Sequence, residues 1–418
     1  MDHARPAAIN VTVNEAYATA AAVARDSYGR LLALLAAASG DILATEDALG
    51  DALERALRTW PERGVPTNPD GWILTVARNR LRDRWKSAEV SRTAPLVPEH
   101  HAPVHLDAVD VEAITDKRLE LMLVCAHPAI DRSARTPLML NTVLGFSAAQ
   151  IASAFQVSKA AMGTRLVRVK KRISTMRIPF VLPDRSDLAA RLPAVLEAVY
   201  GAYVIEWATS TPEPRGLPSE AVQLVDVLAD LVPDDPEVRG LAALVLLSEA
   251  RRGAQVDSDG RFVPLYDQDP ASWDSRLIAR AHGHLRAAHA QHTVGRFQLE
   301  AAIQAAHCAR EDKRSIDWHN LKALHEGLQR LFPTIGNAIA LAAVTAKTDG
   351  PQAGLALLDE LTSEASGYQP AWATRAHLLG LLGRKTAAAE AYATAISLTT
   401  DPAQREYLDA QRRGLMAT

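Results

Sequence analysis

The chain has 418 residues, of which 48% are hydrophobic, 23% charged and only 5% aromatic. This balance excludes wholesale disorder, and the many alanines and leucines favour helices packed through small and aliphatic side chains. We find no apolar run long enough to cross a bilayer, no signal-peptide core, and too few cysteines for a disulfide framework or a cysteine zinc site. The sequence therefore predicts a cytoplasmic protein of two to four domains, at roughly 100–200 residues per domain.

The formal net charge of −3 is unevenly distributed along the chain. Residues 1–180 carry 23 basic and 19 acidic residues, whereas residues 181–418 carry 23 and 30. The stretch 132–183 has nine basic residues and no acid, and a second basic cluster lies at 78–86. One such cluster is usually a solvated face. Two clusters in the same half, beside an acidic second half, favour a polyanionic partner.

The segment 10–90 is predicted to form a small helical domain. Its helices are expected at 14–38, 43–59 and 72–87, with a proline-rich loop at 61–70. The second helix should end at Trp60-Pro61, and its acidic face, opposite a leucine stripe, has no basic partners nearby in the sequence. A linker is expected at 91–105, where three prolines interrupt any periodicity.

The segment 106–180 is predicted to end in a helix-turn-helix. Ser147 and Ser158 are plausible N-caps for a short helix at 148–155 and a longer basic helix to about 174. The apolar side chains expected to pack the two helices together are Ile151, Ala152, Phe155, Val157, Met162 and Leu166. The cations expected on the exposed side are Lys159, Arg165, Arg168, Lys170, Lys171 and Arg172.

The segment 185–418 is predicted to be a series of helical pairs. Its last pair fits a 34-residue tetratricopeptide (TPR) unit at six offsets. The matching residues are Trp372, Ala376, Gly383, Ala388, Tyr392 and Ala395. Since one repeat cannot bury both of its faces, we expect this segment to stack as a helical solenoid.

The stretch NPDGWILTVARNRLRDRW, combined with IASAFQVSKAAMGTRLVRVKKRI, resembles bacterial extracytoplasmic-function (ECF) sigma factors. The segments EDALGDALERAL, LVCAHPAI, RFQLEAAIQAAH and LGRKTAAAEAY extend the resemblance to the subgroup with a TPR-like C-terminal extension. The resemblance implies an all-α chain with two small helical sigma domains, the second a helix-turn-helix, followed by a TPR-like solenoid. It further implies a promoter-specificity subunit that binds core RNA polymerase, promoter duplex and the melted single strand.

The resemblance assigns three sets of candidate site residues. Those for the −35 element are Ser158, Lys159, Met162, Thr164, Arg165, Arg168, Lys171 and Arg172. Those for the −10 element and melting are Asn68, Trp72, Arg78, Asn79, Arg82 and Arg84. Those for polymerase binding are Glu46, Asp47, Leu49, Asp51 and Leu53. For Trp72 and Asn79 a role in the core remains an equal alternative.

The sequence offers no persuasive catalytic constellation, so we expect no enzymatic activity, no cofactor and no metal. A metal site would have to use His282, His284, His289 and His292, but no acid lies among them. Two alternatives stay open: a helix-turn-helix regulator that acts without polymerase and senses through its TPR-like segment, and an enzyme housed in the extension. A regulatory protein bound by the extension is a further candidate partner, and no membrane association is expected.

Overall fold

A computed structural model describes residues 13–91, 114–155, 157–176, 178, 185–209, 220–309, 316–361, 365–399 and 401–417. These residues form α-helices joined by short turns, with an isolated bridge between Val256 and Phe262 and no named strand, which confirms the all-α class. The chain divides into two compact units, Met1–Ile205 and Glu206–Thr418. Apart from Ser91, the predicted linker 91–105 lies outside the described residues.

The first unit contains nine described α-helices. They are α1 (Val13–Ala22), α2 (Tyr28–Ser39), α3 (Ile42–Arg63), α4 (Pro69–Ser91), α5 (Ile114–Cys125), α6 (Arg132–Thr142), α7 (Ala148–Ala154), α8 (Lys159–Met176) and α9 (Arg185–Thr209). The predicted helix 14–38 corresponds to α1 and α2, joined by one π-helical segment, Val23–Ser27. Asp41 caps α3 by accepting a hydrogen bond from the Ala44 N–H at 3.1 Å.

Helix α3 continues past its predicted end, through Pro61 to Arg63. A proline in the last turn removes only one backbone donor, and Gly64, with φ 86°, then closes the helix through its N–H to the Trp60 carbonyl. The loop before α4 is correspondingly shorter than predicted. Helices α1 to α4 share one core, whose largest members include Leu32, Leu35, Leu49, Trp60, Ile73 and Leu81.

The helices on the two sides of the predicted linker pack into one unit, which differs from the expected pair of separate modules. Helix α2 packs on α5, and α3 packs on α8. Val143, which follows α6, lies so close to α2 that a Cβ on Gly29 would be 1.9 Å from the Val143 carbonyl oxygen. A linker without periodicity separates two domains in sequence, but it does not prevent their surfaces from docking.

Helix α9 belongs largely to this first unit, although the sequence places it at the start of the extension. Its buried Arg191 donates a hydrogen bond to the Leu123 carbonyl at 3.2 Å and pairs with Asp187. The stretch Asp187–Ile205 is long and apolar enough to cross a membrane, contrary to the expectation that no such run exists. Half of that stretch is buried inside the fold, as in a helix whose apolar residues belong to a protein core.

The second unit contains ten described α-helices and three short 3₁₀ turns. The α-helices are α10 (Glu220–Leu231), α11 (Pro236–Glu249), α12 (Ser275–His289), α13 (Arg296–Cys308), α14 (Trp318–Leu331), α15 (Ile335–Thr348), α16 (Pro351–Glu360), α17 (Gln369–Leu381), α18 (Lys385–Leu398) and α19 (Pro402–Ala417). Helix α11 packs against both α12 and α13. Its Glu237 accepts hydrogen bonds from the first backbone N–H groups of α13, Phe297 at 3.0 Å and Gln298 at 3.2 Å.

The predicted repeat unit coincides with the helical pair α17 and α18, which pack against each other. Gly383, with φ 73°, makes the turn between them. The small or aromatic residues at the predicted contact offsets are buried: Ala376, Ala388, Tyr392 and Ala395. The assignment of this pair to the TPR class stays a prediction.

Candidate nucleic-acid interface

Helices α7 and α8 form the predicted short-helix, turn, long-helix arrangement. Ser147 caps α7 in a reciprocal capping box, in which its Oγ accepts from the Gln150 N–H and its own N–H donates to Gln150 Oε1 at 3.0 Å. Ser158 caps α8 by accepting from the Ala161 N–H at 3.2 Å. The turn residue Gln156 lies outside the described residues. Both predicted caps are therefore present.

One side of α8 is buried against its neighbours. Leu166 is buried as predicted, Val169 is buried as well, and Met162 is fully buried. Met162 cannot reach a base edge from this position, so its inclusion among the −35 candidates is wrong. Phe155 is also misassigned as a packing residue, because it lies at the end of α7 and is exposed.

The opposite side of α8 faces solvent and is cationic. The exposed −35 candidates are Ser158, Lys159, Thr164, Arg168, Lys171 and Arg172. Arg165 is half-buried and lies near enough to Asp131 to help lower the pKa of that carboxyl, after the two hydrogen bonds from Ser133 that have the larger effect. The exposed side of α8 thus carries several cations and no acidic residue, which favours contact with the phosphates of a duplex.

Lys170 is the one cation of this helix predicted to be exposed that the structure buries. Its side chain is 9% exposed, and Nζ donates to Glu46 Oε1 of α3 at 2.5 Å and to Asn141 Oδ1 of α6 at 2.7 Å. The helical period places position 170 close to the buried row formed by Leu166 and Ile173. Lys170 therefore joins three helices and is not available to a phosphate.

The loop between α3 and α4 and the first turn of α4 each hold one candidate for the −10 element, Asn68 and Trp72 respectively. Asn68 is exposed and accepts a hydrogen bond through Oδ1 from the Gly71 N–H at 2.9 Å, so it caps the start of α4. Trp72 is half-buried and packs edge-on to Trp60, with ring centroids 5.5 Å apart. Asn79 is exposed rather than buried in the core. Trp72 thus has a structural role and remains partly exposed.

The arginines of α4 differ in their surroundings. Arg78 and Arg82 are half-buried, whereas Arg80 and Arg84 are exposed and reach across to α3. Arg80 Nε lies 2.6 Å from Asp51 Oδ2, and Arg84 Nη1 lies 3.0 Å from Asp47 Oδ2. The Arg84 side chain predicted to contact the melted DNA strand therefore already pairs with the Asp47 carboxylate.

The acidic face of α3 has basic partners, contrary to the sequence-based expectation. Glu46, Asp47 and Asp51 pair with Lys170, Arg84 and Arg80 respectively. Leu49 is fully buried in the core, so the prediction that it contacts polymerase is wrong, whereas Leu53 is only partly buried. The same three acids, with Asp83 of α4, line an open groove of about 650 Å³ between α3 and α4.

The histidines of the extension are not arranged for metal binding. The ring of His284 lies 3.1 Å from the Arg239 guanidinium, and burial together with that neighbouring cation lowers the pKa of His284. His289 and His292 contact each other edge to face at 6.5 Å. In the part of the chain that the structure describes, no group of three or more His, Cys, Asp or Glu side chains is placed to hold a metal ion.

Polar residues at α13 and α14 make contacts inside the second unit. Gln304 accepts a hydrogen bond from Arg251, and Asp317 caps α14 by accepting from the Asn320 N–H at 2.9 Å. Trp318 packs beside Tyr266 with ring centroids 5.2 Å apart. These contacts stabilise the packing of the second unit and supply no reactive constellation.

Comparison with known proteins gives three matches and one negative result. Sigma-70 region 2 matches residues 23–90, which run from the π-helical segment Val23–Ser27 through nearly all of α4. A family of unknown function (DUF6596) matches residues 191–289. An uncharacterised protein of Rhizobium meliloti (strain 1021) is 35% identical over 383 residues, covering 89% of this chain and 90% of the relative. No solved structure matches the chain.

Proposed function

Because the chain belongs to one family with the Rhizobium meliloti protein and carries a sigma-70 region 2 domain, we propose that it is a sigma factor that directs core RNA polymerase to promoters. The observation that carries the proposal is the combination of that domain with the short helix α7 and the long helix α8, which exposes a cationic face and which we interpret as a helix-turn-helix. A regulator acting without polymerase needs only the helix-turn-helix, so the region 2 domain favours the sigma factor.

In this proposal, α8 enters the major groove of the upstream −35 element. The exposed residues of its first half, Ser158, Lys159 and Thr164, face base edges together with Arg165. Arg168, Lys171 and Arg172 lie further along the helix and hold phosphates. Each phosphate neutralised adds about −0.9 to the slope of log affinity against log salt, so binding should be steeply salt-dependent.

Helix α4 and the loop before it contact the −10 element. Asn68 and the exposed part of Trp72 border the site where an unpaired base is captured, since stacking and pocketing hold bases outside the duplex. The proposed backbone contacts of the melted strand are Arg78, Asn79, Arg82 and Arg84. The pair of Arg84 with Asp47 is exposed, so strand phosphates can replace that carboxylate at little cost.

Core polymerase is proposed to dock on the exposed face of α3, through Asp47, Asp51 and Leu53. Glu46 contributes only if its bond to Lys170 opens. The chain itself is not an enzyme, because polymerase performs the nucleotidyl transfer. We assign it to the ECF subgroup with a TPR-like extension that serves regulation or protein interaction, and to the cytoplasm.

The proposal is tested with the full chain, purified core RNA polymerase and fluorescent duplex DNA. The chain should co-purify with core polymerase, and the complex should bind DNA with a steep salt slope. The double variant Arg168→Ala/Lys171→Ala should reduce that slope by about 2. The control Arg276→Ala/Arg286→Ala removes the same charge from exposed positions on α12 and should leave the slope unchanged.

Two outcomes would overturn the proposal. A chain that binds DNA but never associates with core polymerase is a polymerase-independent regulator. A chain whose DNA binding is equally sensitive to both double variants does not use α8. Replacing Asp47 and Asp51 with Asn should weaken polymerase association, whereas DNA binding by the chain alone should not weaken, because the carboxylate that pairs with Arg84 is removed.

A further inference from the structure

The exposed face of α8 carries a strip of small apolar groups along its centre. Ala160, Thr164 and Val167 follow one another at intervals of four and three residues, so they share one helix face. All three are exposed, and the side chain of Val167 is 63% exposed. We call these three residues the methyl ridge.

The hydroxyl group of Thr164 is used inside the helix. Its Oγ1 donates to the Ala160 carbonyl oxygen at 3.0 Å. The side chain therefore has no hydroxyl proton to offer a base and presents its methyl group to an outside partner. The ridge is in effect an apolar surface from one end to the other.

The ridge is bordered by cations. Lys159 lies at the start of α8, Arg168 follows Val167 directly, and Lys171 lies one turn beyond the ridge. All three side chains are exposed, and no acidic residue occurs in the sequence between 132 and 183. A DNA duplex whose phosphates contact these cations would have its base edges facing the ridge.

Isolated exposed valines are common and need no explanation. Here the apolar groups instead form a row where a helix-turn-helix faces base edges. Thymine is the base that presents a methyl group in the major groove, where alanine and threonine methyl groups contact it. The amino groups of cytosine and adenine would lose hydrogen bonds to water against an apolar surface, which disfavours them.

We propose that the methyl ridge recognises thymine methyl groups in the upstream promoter element, with Val167 as a specificity-determining residue. This inference rests on the proposed function, because it requires α8 to lie in the major groove. The ridge is about 10 Å long at 1.5 Å per residue, and three base-pair steps of 3.4 Å cover about that length. It therefore contacts thymines within a short run of adjacent base pairs.

The test replaces thymine with uracil, which removes the methyl group and keeps every base-pairing atom. The full chain with core polymerase first selects sequences from a random duplex pool made with thymine. The selected duplexes are then synthesised with single uracils and their affinities are measured. Each recognised thymine should lose about fourfold in affinity on replacement, as expected for burial of one methyl group.

The variant Val167→Ala identifies the residue responsible. It should bind the thymine and uracil duplexes alike at one position and keep the discrimination at the others. Val294→Ala is the matched control, because Val294 is equally exposed, at 65%, but lies in the second unit. This control should discriminate as the unmodified chain does.

The outcomes separate the inference from the function on which it rests. Sequence-specific selection with no effect of uracil overturns the ridge and leaves the sigma-factor proposal intact. Unchanged discrimination in Val167→Ala overturns the role of Val167. If the complex selects no sequence at all, both proposals fail together.

Discussion

Charged side chains on α3 form cross-helix pairs of unequal strength. Asp47 and Asp51 pair with arginines of α4 at exposed positions, where an ion pair contributes about 0–1 kcal/mol. Glu46 is only 20% exposed and its partner Lys170 only 9% exposed. Burying such a pair need not stabilise the fold, but removing one partner leaves a charge without compensation.

Lys170→Met should destabilise the first unit by about 3 kcal/mol or more, because the Glu46 carboxylate then stays buried without its cation. Lys170→Met/Glu46→Leu should recover most of that loss. Hydrogen exchange of α3 and α8 amides during urea titration of the full chain measures both. Arg58→Ala, in an exposed pair with Glu54, is the control and should change little. Equal losses in the single and double variants would show that the charge is not the cause.

A buried histidine makes the second unit sensitive to acid. His325 hydrogen-bonds to Asn337 Oδ1 at 2.6 Å, and the Asn337 amide donates to the His325 carbonyl at 3.0 Å. Since Oδ1 can only accept, the neutral ring carries its proton on Nδ1. Burial lowers the pKa of His325 and outweighs the opposing effect of the Asn337 hydrogen bond.

The free energy of unfolding of the second unit should therefore fall as the pH drops below about 6.5, the ordinary histidine value. Because the pKa of His325 is lowered in the folded state, the unfolded chain binds more protons than the folded chain in that range. The stabilisation is therefore present at neutral pH and lost in acid. His325→Gln should flatten the decline between pH 7.5 and 5 in urea unfolding. The exposed His289→Gln should not. An unchanged slope in His325→Gln would contradict this account.

At the scale of elements, local sequence signals located most helices of the first unit and, in the second unit, the pair α17 and α18. The caps Asp41, Ser147 and Ser158 begin their helices, and the glycine at 40 ends α2. The end of α3 was mispredicted because a proline is tolerated in a final turn that Gly64 closes. The buried side of α8 was partly mispredicted. Met162 was assigned both to packing and to base recognition, and Lys170 was assigned to the exposed side.

The site could be predicted in part. The spacing of four residues between Asp47 and Asp51, matched by that between Arg80 and Arg84, is a signal that could have revealed the α3–α4 pairs. The pair of Glu46 with Lys170 joins residues 124 positions apart. No local pattern encodes such a contact, because it depends on how α3 and α8 dock.

The close packing of α2 predicts unequal effects of two glycine substitutions. Gly29→Ala places a Cβ 1.9 Å from the Val143 carbonyl oxygen and should destabilise the first unit by about 1–3 kcal/mol. Gly50 is an exposed position of α3 with open space around a new Cβ, so Gly50→Ala should stabilise the first unit by about 0.5–1 kcal/mol. Urea unfolding of both variants measures the difference. A neutral Gly29→Ala would mean that α2 does not pack this closely in solution.

At the scale of the whole molecule, charge divides the chain. The first 180 residues carry a net +4 and the remainder a net −7. An acidic extension lowers the attraction of the protein to DNA through long-range repulsion, which salt screens.

The packing of α9 in the first unit shows that a deletion intended to remove only the extension should begin after residue 209, not at 185.

A chain ending at residue 209 should bind duplex DNA more tightly than the full chain at low salt, with the difference vanishing at high salt. Its association with core polymerase measures whether the extension also serves that contact. Gel-shift titrations at two salt concentrations provide the comparison. Identical affinities at low salt would exclude electrostatic masking by the extension.

The central claim is that this chain gives core RNA polymerase promoter specificity through α8. Run-off transcription by core polymerase on a promoter library tests it most directly. The full chain should yield transcripts from a defined set of templates, Arg276→Ala/Arg286→Ala should preserve that set, and Arg168→Ala/Lys171→Ala should reduce its transcription at least tenfold. Transcription that is absent, or that is unchanged by the α8 variant, would contradict the claim.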